Sequence, residues 1–169
     1  MRTSQLIRLS KICLVAAVSA FAWLVAYNNI VDYGSNFAFV QHVLTMDTTF
    51  DGNQLTSRAI HNPVVHHLAY GVIISVEATV GLLCLLGAVA LWRQIDGSEA
   101  QFCAAKGLAT MGLVLGILLW FSGFMTVGAE WFLMWQSQIW NGQQPAFRFI
   151  MVLFGCLLFL HQREPELTR

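Results

Sequence analysis

The chain has 169 residues, the size of one domain; 57% are hydrophobic, only 11% are charged, and the formal net charge is zero. So little charge excludes an ordinary soluble globular protein, and the isolated Lys and Arg residues form no basic run that could hold nucleic acid.

Residues 12–31 are free of charge and follow Arg2, Arg8 and Lys11. Ala20-Phe21-Ala22 resembles a signal-peptide cleavage site, but the apolar run continues through Trp23 to Ile30 and Val31, past the usual length of such a leader. An uncleaved first span is predicted. Asn28, Asn29 and Asp32 mark its far end, and a long mixed segment then runs to His66. Loops of that length tend to be functional or to contain short helices. Phe37, Val40 and Leu44 recur at helical spacing, which predicts a short helix on the membrane surface. Asp51-Gly52-Asn53 signals a turn, with a single helical turn expected between Leu55 and Ile60.

Asn62 is a good N-cap and Pro63 suits the first helical position, where its missing N–H is no loss. From Leu68 to Trp92 the sequence is apolar except for Glu77, and Arg93 closes the run. At about 1.5 Å per residue this exceeds the ~30 Å of bilayer hydrocarbon, so a second span is expected over residues 64–92. Glu77 falls ~13 Å along from Leu68 by the same rise. An ionisable group at that depth needs a partner, a proton or a wet pocket. At about 100° per residue His66, Tyr70, Ile73, Glu77, Gly81, Cys84 and Ala88 share one stripe, which should face protein rather than lipid.

After the polar link Gln94–Glu99, residues 107–129 are uncharged and form the third expected span. Its Gly112 and Gly116, with Gly123 near the same face, let another backbone approach, and packing inside the bundle is the favoured use. Glu130 to Phe147 interleaves Trp131, Trp135 and Trp140 with amides, the composition of a membrane–water boundary. An interfacial helix there, or a continuation of the third span, is expected; a stacking lid over a lipid or quinone is the alternative. Residues 146–162 make a short fourth span if Arg148 snorkels outward. Four crossings put Arg2, Arg8, Lys11, Arg93, Lys106, Arg163 and Arg169 on one side against Arg58 and Arg148 on the other. Seven against two predicts cytoplasmic termini.

With that topology one leaflet collects Asn28, Asn29, Asp32, His66, Tyr70, Glu77, Glu130, Trp131, Trp135 and Arg148, a candidate ligand-binding cluster. Glu77 paired with Arg148 is the economical arrangement, since each is costly alone. His61, His66 and His67 are weaker candidates for a metal, because their spacing matches no dedicated zinc signature and Pro63 interrupts a single-helix geometry. Haem would need axial ligands at membrane depth, and His66 or His67 and His161 sit at opposite ends of the expected bundle. Cys13, Cys84, Cys103 and Cys156 all lie in or beside apolar segments and imply packing rather than disulfides. No nucleophile motif suggests catalysis.

Several stretches together resemble a known family. Tyr27-Asn28-Asn29, Asp32-Tyr33, Asn36-Phe37, the run from Phe39 to Phe50, Arg58-Ala59-Ile60, Glu130 to Ser137, and Trp140 to Gln143 are similar to the bacterial family of predicted small integral membrane proteins of unknown function. The resemblance implies a four-span inner-membrane protein with its marked residues on the periplasmic side, and it supplies no activity or catalytic residues. The expectation is therefore an all-α, four-helix transmembrane bundle with short interfacial helices on the outer face. Its outer cap would be built from residues 36–61 and 130–144. The favoured role is a non-enzymatic accessory subunit binding a lipid, a membrane-protein partner or a second copy, without a cofactor. A quinone-binding or electron-transfer subunit, and a small proton-coupled transporter using Glu77, are the alternatives.

Overall fold

The computed structural model describes residues 3–163. It is an all-α bundle with no strand among the described residues. Helix α1 (Thr3–Val31) runs the length of the bundle, and α2 (Tyr33–Thr45) turns off it at Asp32. Helix α3 (Pro63–Arg93) returns, followed by short α4 (Glu99–Ala104), α5 (Gly107–Leu118), a π-helix (Leu119–Trp131) and α6 (Gln143–His161). The helices Thr3–Val31, Pro63–Arg93, Glu99–Trp131 and Gln143–His161 are long and apolar enough to cross a membrane. Their outward residues, such as Leu68, Val72 and Phe154, are exposed and apolar, as a lipid-facing surface requires.

The start of α3 forms as its sequence directs: the Asn62 side chain accepts from the Val64 N–H at 2.9 Å, with Pro63 in the first turn. Its predicted stripe is the face that packs. His66, Tyr70, Glu77, Gly81, Cys84 and Ala88 are all buried. Small residues bring the rods together: a Cβ on Gly81 would meet the Trp23 ring of α1 at 2.8 Å, and one on Gly87 would meet the Ala109 backbone of α5 at 2.5 Å. The Ser19 hydroxyl donates to the Gly81 carbonyl at 2.7 Å across the same α1–α3 seam. Gly112 lies against Cys84 and Gly116 against Leu153, so the glycine pair is used inside the bundle, whereas Gly123 meets only Leu119 of its own helix.

Both described ends of the chain lie at one end of the bundle, where Lys11 Nζ donates to the Gln162 carbonyl at 2.7 Å. Beside it Arg8, fully buried, donates to the Ile95 and Gly97 carbonyls at 2.9 and 2.6 Å and lies over the Phe102 ring. Arg8 thus clasps the α3–α4 link to α1, and Lys11 ties α1 to the end of α6, uses that their role as flanking positive charges does not reveal.

The opposite end carries a cap. Val40, Val43 and Leu44 of α2 pack with Phe132, Leu133 and Met134 in a core separate from that of the rods, and the Ile60 N–H donates to the Leu44 carbonyl at 2.8 Å. The expected helical turn is a 3-10 turn at Thr56–Arg58. Met46 and Leu133 both adopt φ 54°, the left-handed region that costs a non-glycine residue roughly 1–2 kcal/mol. Burial of both side chains in the cap core offsets that cost. The tryptophan-rich segment continues the third span to Trp131; beyond it there is a single 3-10 turn at Met134–Gln136, not an extended interfacial helix. The π-helix itself carries no periodic signature in sequence. At its end the Phe132 N–H donates to the Val127 carbonyl five residues back, the Thr126 hydroxyl donates to the Phe121 carbonyl, and the wider turn shifts which face meets the bundle.

Candidate functional site

Glu77 is 3% exposed and sits midway along α3, walled by neighbouring elements. Its partner is Asn29, near the end of α1, whose Nδ2 donates to Glu77 Oε2 at 2.7 Å. The Asn29 Oδ1 in turn accepts from Asn36 Nδ2 of α2 at 2.7 Å, and the Asn29 backbone carbonyl accepts from the Tyr70 hydroxyl at 3.1 Å. Asn29, Tyr70 and Glu77 are buried, whereas Asn36 is exposed, so a polar chain runs from the cap surface to the carboxyl. Among the described residues Asn29 is the one side-chain hydrogen-bond donor to the Glu77 carboxyl.

The three groups border a cavity of about 250 Å³. Phe39 of α2, Trp120 and Phe124 of the π-helix and Phe149 of α6 supply aromatic walls, and Val25 closes it from α1. The rings brace one another: Trp120 and Phe149 have centroids 5.1 Å apart, and Phe39 and Phe124 6.1 Å. Close approach shapes the rim, since a Cβ on Gly142 would meet the Phe39 ring at 2.8 Å. A mostly apolar hollow with a few convergent polar atoms is the usual form of a small-molecule site.

The ten residues expected to cluster are divided by the fold. Asn29, Tyr70 and Glu77 come together. Asn28 is exposed, and Asp32 is an exposed residue that accepts from the Ser35 hydroxyl. His66 is buried but does not line the cavity, and its Nε2 is engaged by the Ile60 carbonyl at 2.7 Å. Glu130 is exposed; Trp131 lies under the Arg58 guanidinium, 4.5 Å away, and Trp135 meets the Phe50 ring edge-on. Neither tryptophan lines the cavity. The expected Glu77–Arg148 ion pair is absent among the described residues: Arg148 is exposed on α6, and an amide takes its place beside the carboxyl. The physical reason is that Arg148 lies on the outward face of the first α6 turns, while the cavity-facing positions of that helix are Pro145, Ala146 and Phe149.

The weaker metal candidates are likewise apart. His61 is exposed, and His67 stacks on Phe37 at 4.2 Å with Nδ1 2.8 Å from the Tyr33 hydroxyl. No group of three or more metal-ligating side chains occurs among the described residues. Asn36, Phe39, Trp120, Phe124 and Phe149 are the polar and aromatic cavity residues that sequence reasoning missed. Trp120 and Phe124, four apart, read as ordinary span residues, and only the path of the cap over the bundle turns Phe39 toward them.

Comparison with known proteins is consistent with this architecture and adds no activity. No curated protein and no solved structure matches the chain significantly. Residues 7–163 match the family described as predicted small integral membrane protein (DUF2165), which covers nearly every element above, and the chain belongs to that family.

Proposed function

We propose that this is a non-enzymatic binding protein of the bacterial inner membrane, with its cap on the periplasmic side and its termini in the cytoplasm. The observation that carries the reading is the cavity of about 250 Å³ bounded by α1, α2, α3, the π-helix and α6, with one buried carboxyl in its wall. The hydrogen bonds of the Asn36–Asn29–Glu77 chain tie α1, α2 and α3 together at the wall of that hollow, which supports a built binding site. The bias of Lys and Arg toward the end that holds Arg8, Lys11, Arg93 and Lys106 supports the orientation. An accessory role in a larger complex is compatible with such a site. The quinone reading loses support, because Trp131, Trp135 and Arg148 lie away from Glu77.

The test is native mass spectrometry of the protein released from membrane nanodiscs, comparing the natural chain with Val25→Phe, which fills the hollow. A small molecule retained by the natural chain and lost from the variant is expected. Identical spectra for the two would refute a role for the cavity.

A further inference from the structure

We propose that the cavity selects a small organic cation, an amine or a quaternary ammonium ion, which exchanges with a proton on Glu77. The inference rests on the binding reading above and names its ligand class. The first argument is an inventory of charge. The side chains that face the hollow from α1, α2, the π-helix and α6 are all uncharged; α3 contributes Glu77 and one further titratable group, Tyr70. Among the described residues no Lys, Arg or His lines it. Among the described residues the carboxyl therefore has one neutral side-chain donor, Asn29, and no counter-charge in the lining. In a membrane interior an ionised carboxylate so placed is costly, and it is relieved either by a proton or by a cation entering the hollow.

The second argument is the chemistry of the walls. Phe39, Trp120, Phe124 and Phe149 line the same hollow as Glu77. Aromatic faces attract cations, with indole the strongest, and a desolvated site enhances the effect. Anionic ligands meet the reverse: no cationic side chain among the described lining residues receives them, and an ionised Glu77 repels them. A lipid phosphate or a fatty-acid carboxylate is thus disfavoured by the same residues that favour an ammonium group. The exchange balances simply: the protonated carboxyl and the incoming cation give a carboxylate–cation pair and one proton released to water.

The experiment measures binding of benzyltrimethylammonium and of its uncharged isostere, neopentylbenzene, by calorimetry on the full chain in nanodiscs. Repeating it in two buffers of different ionisation enthalpy counts protons released. The natural chain should prefer the cation at least tenfold and release protons on binding, and Glu77→Gln, which keeps an oxygen for Asn29, should lose both properties. Phe149→Leu is an independent check on the walls, expected to weaken the cation more than the isostere. If the isostere binds as well as the cation to both the natural chain and Glu77→Gln, the cavity is a binding site but the cation inference is overturned. If neither compound binds, and Val25→Phe changes nothing in the native spectra, the binding reading itself falls.

Discussion

Replacing Asn29 by alanine removes the hub of the buried network without touching the apolar core of the rods. The lost side-chain bonds are the one given to Glu77 Oε2 and the one accepted from Asn36, both 2.7 Å. Hydrogen bonds between membrane helices average about 0.6 kcal/mol and reach about 1.7, because the unfolded chain in the membrane also finds partners. Two of them set the expected loss at about 1–3 kcal/mol, nearer the lower end since Asn36 can turn to water. Reversible unfolding in mixed micelles reads this directly, with Asn28→Ala, an exposed neighbour, as the control. A double-mutant cycle with Glu77→Leu isolates the Asn29–Glu77 bond, because the Asn36 contribution cancels between its two arms. A coupling of about 0.6–1.7 kcal/mol is expected. Equal stability of Asn29→Ala and Asn28→Ala, or strict additivity in the cycle, would show that the carboxyl is held by something other than this amide.

Two other perturbations test the packing and the absence of an ion pair. Gly87→Ala forces a Cβ to within 2.5 Å of the Ala109 backbone nitrogen, which cannot retreat as a side chain would. An overpacking loss of about 1–3 kcal/mol should appear in the unfolding midpoint. Gly155→Ala is its counterpart, with nothing within 4 Å of the new Cβ, and should be neutral or gain up to about 1 kcal/mol in helix propensity. Arg148→Ala should change stability by less than about 0.5 kcal/mol, as for a surface residue; a loss of about 3 kcal/mol, the scale of a stranded buried charge, would reinstate a pair with Glu77.

The sequence alone determined the four spans, the start of α3 at Asn62-Pro63 and the buried face of that helix, because each depends on local or periodic chemistry. A bilayer demands long apolar helices whose backbone groups are satisfied within the segment, and an ionisable residue among them must turn inward. Glu77 on the stripe with Tyr70 was legible for that reason. Its partner was not. Arg148 and Asn29 are both distant in sequence, and charge complementarity favours the arginine; the decision lies in helix rotation, which faces Arg148 outward and brings Asn29 to the seam between α1 and α3. The cavity is likewise a product of tertiary structure. It exists because the cap helix folds over the rods and the π-helix shifts its register, bringing Phe39, Trp120, Phe124 and Phe149 around a carboxyl on yet another element. Periodicity describes one helix at a time, whereas a site built from five elements depends on how they are rotated against one another.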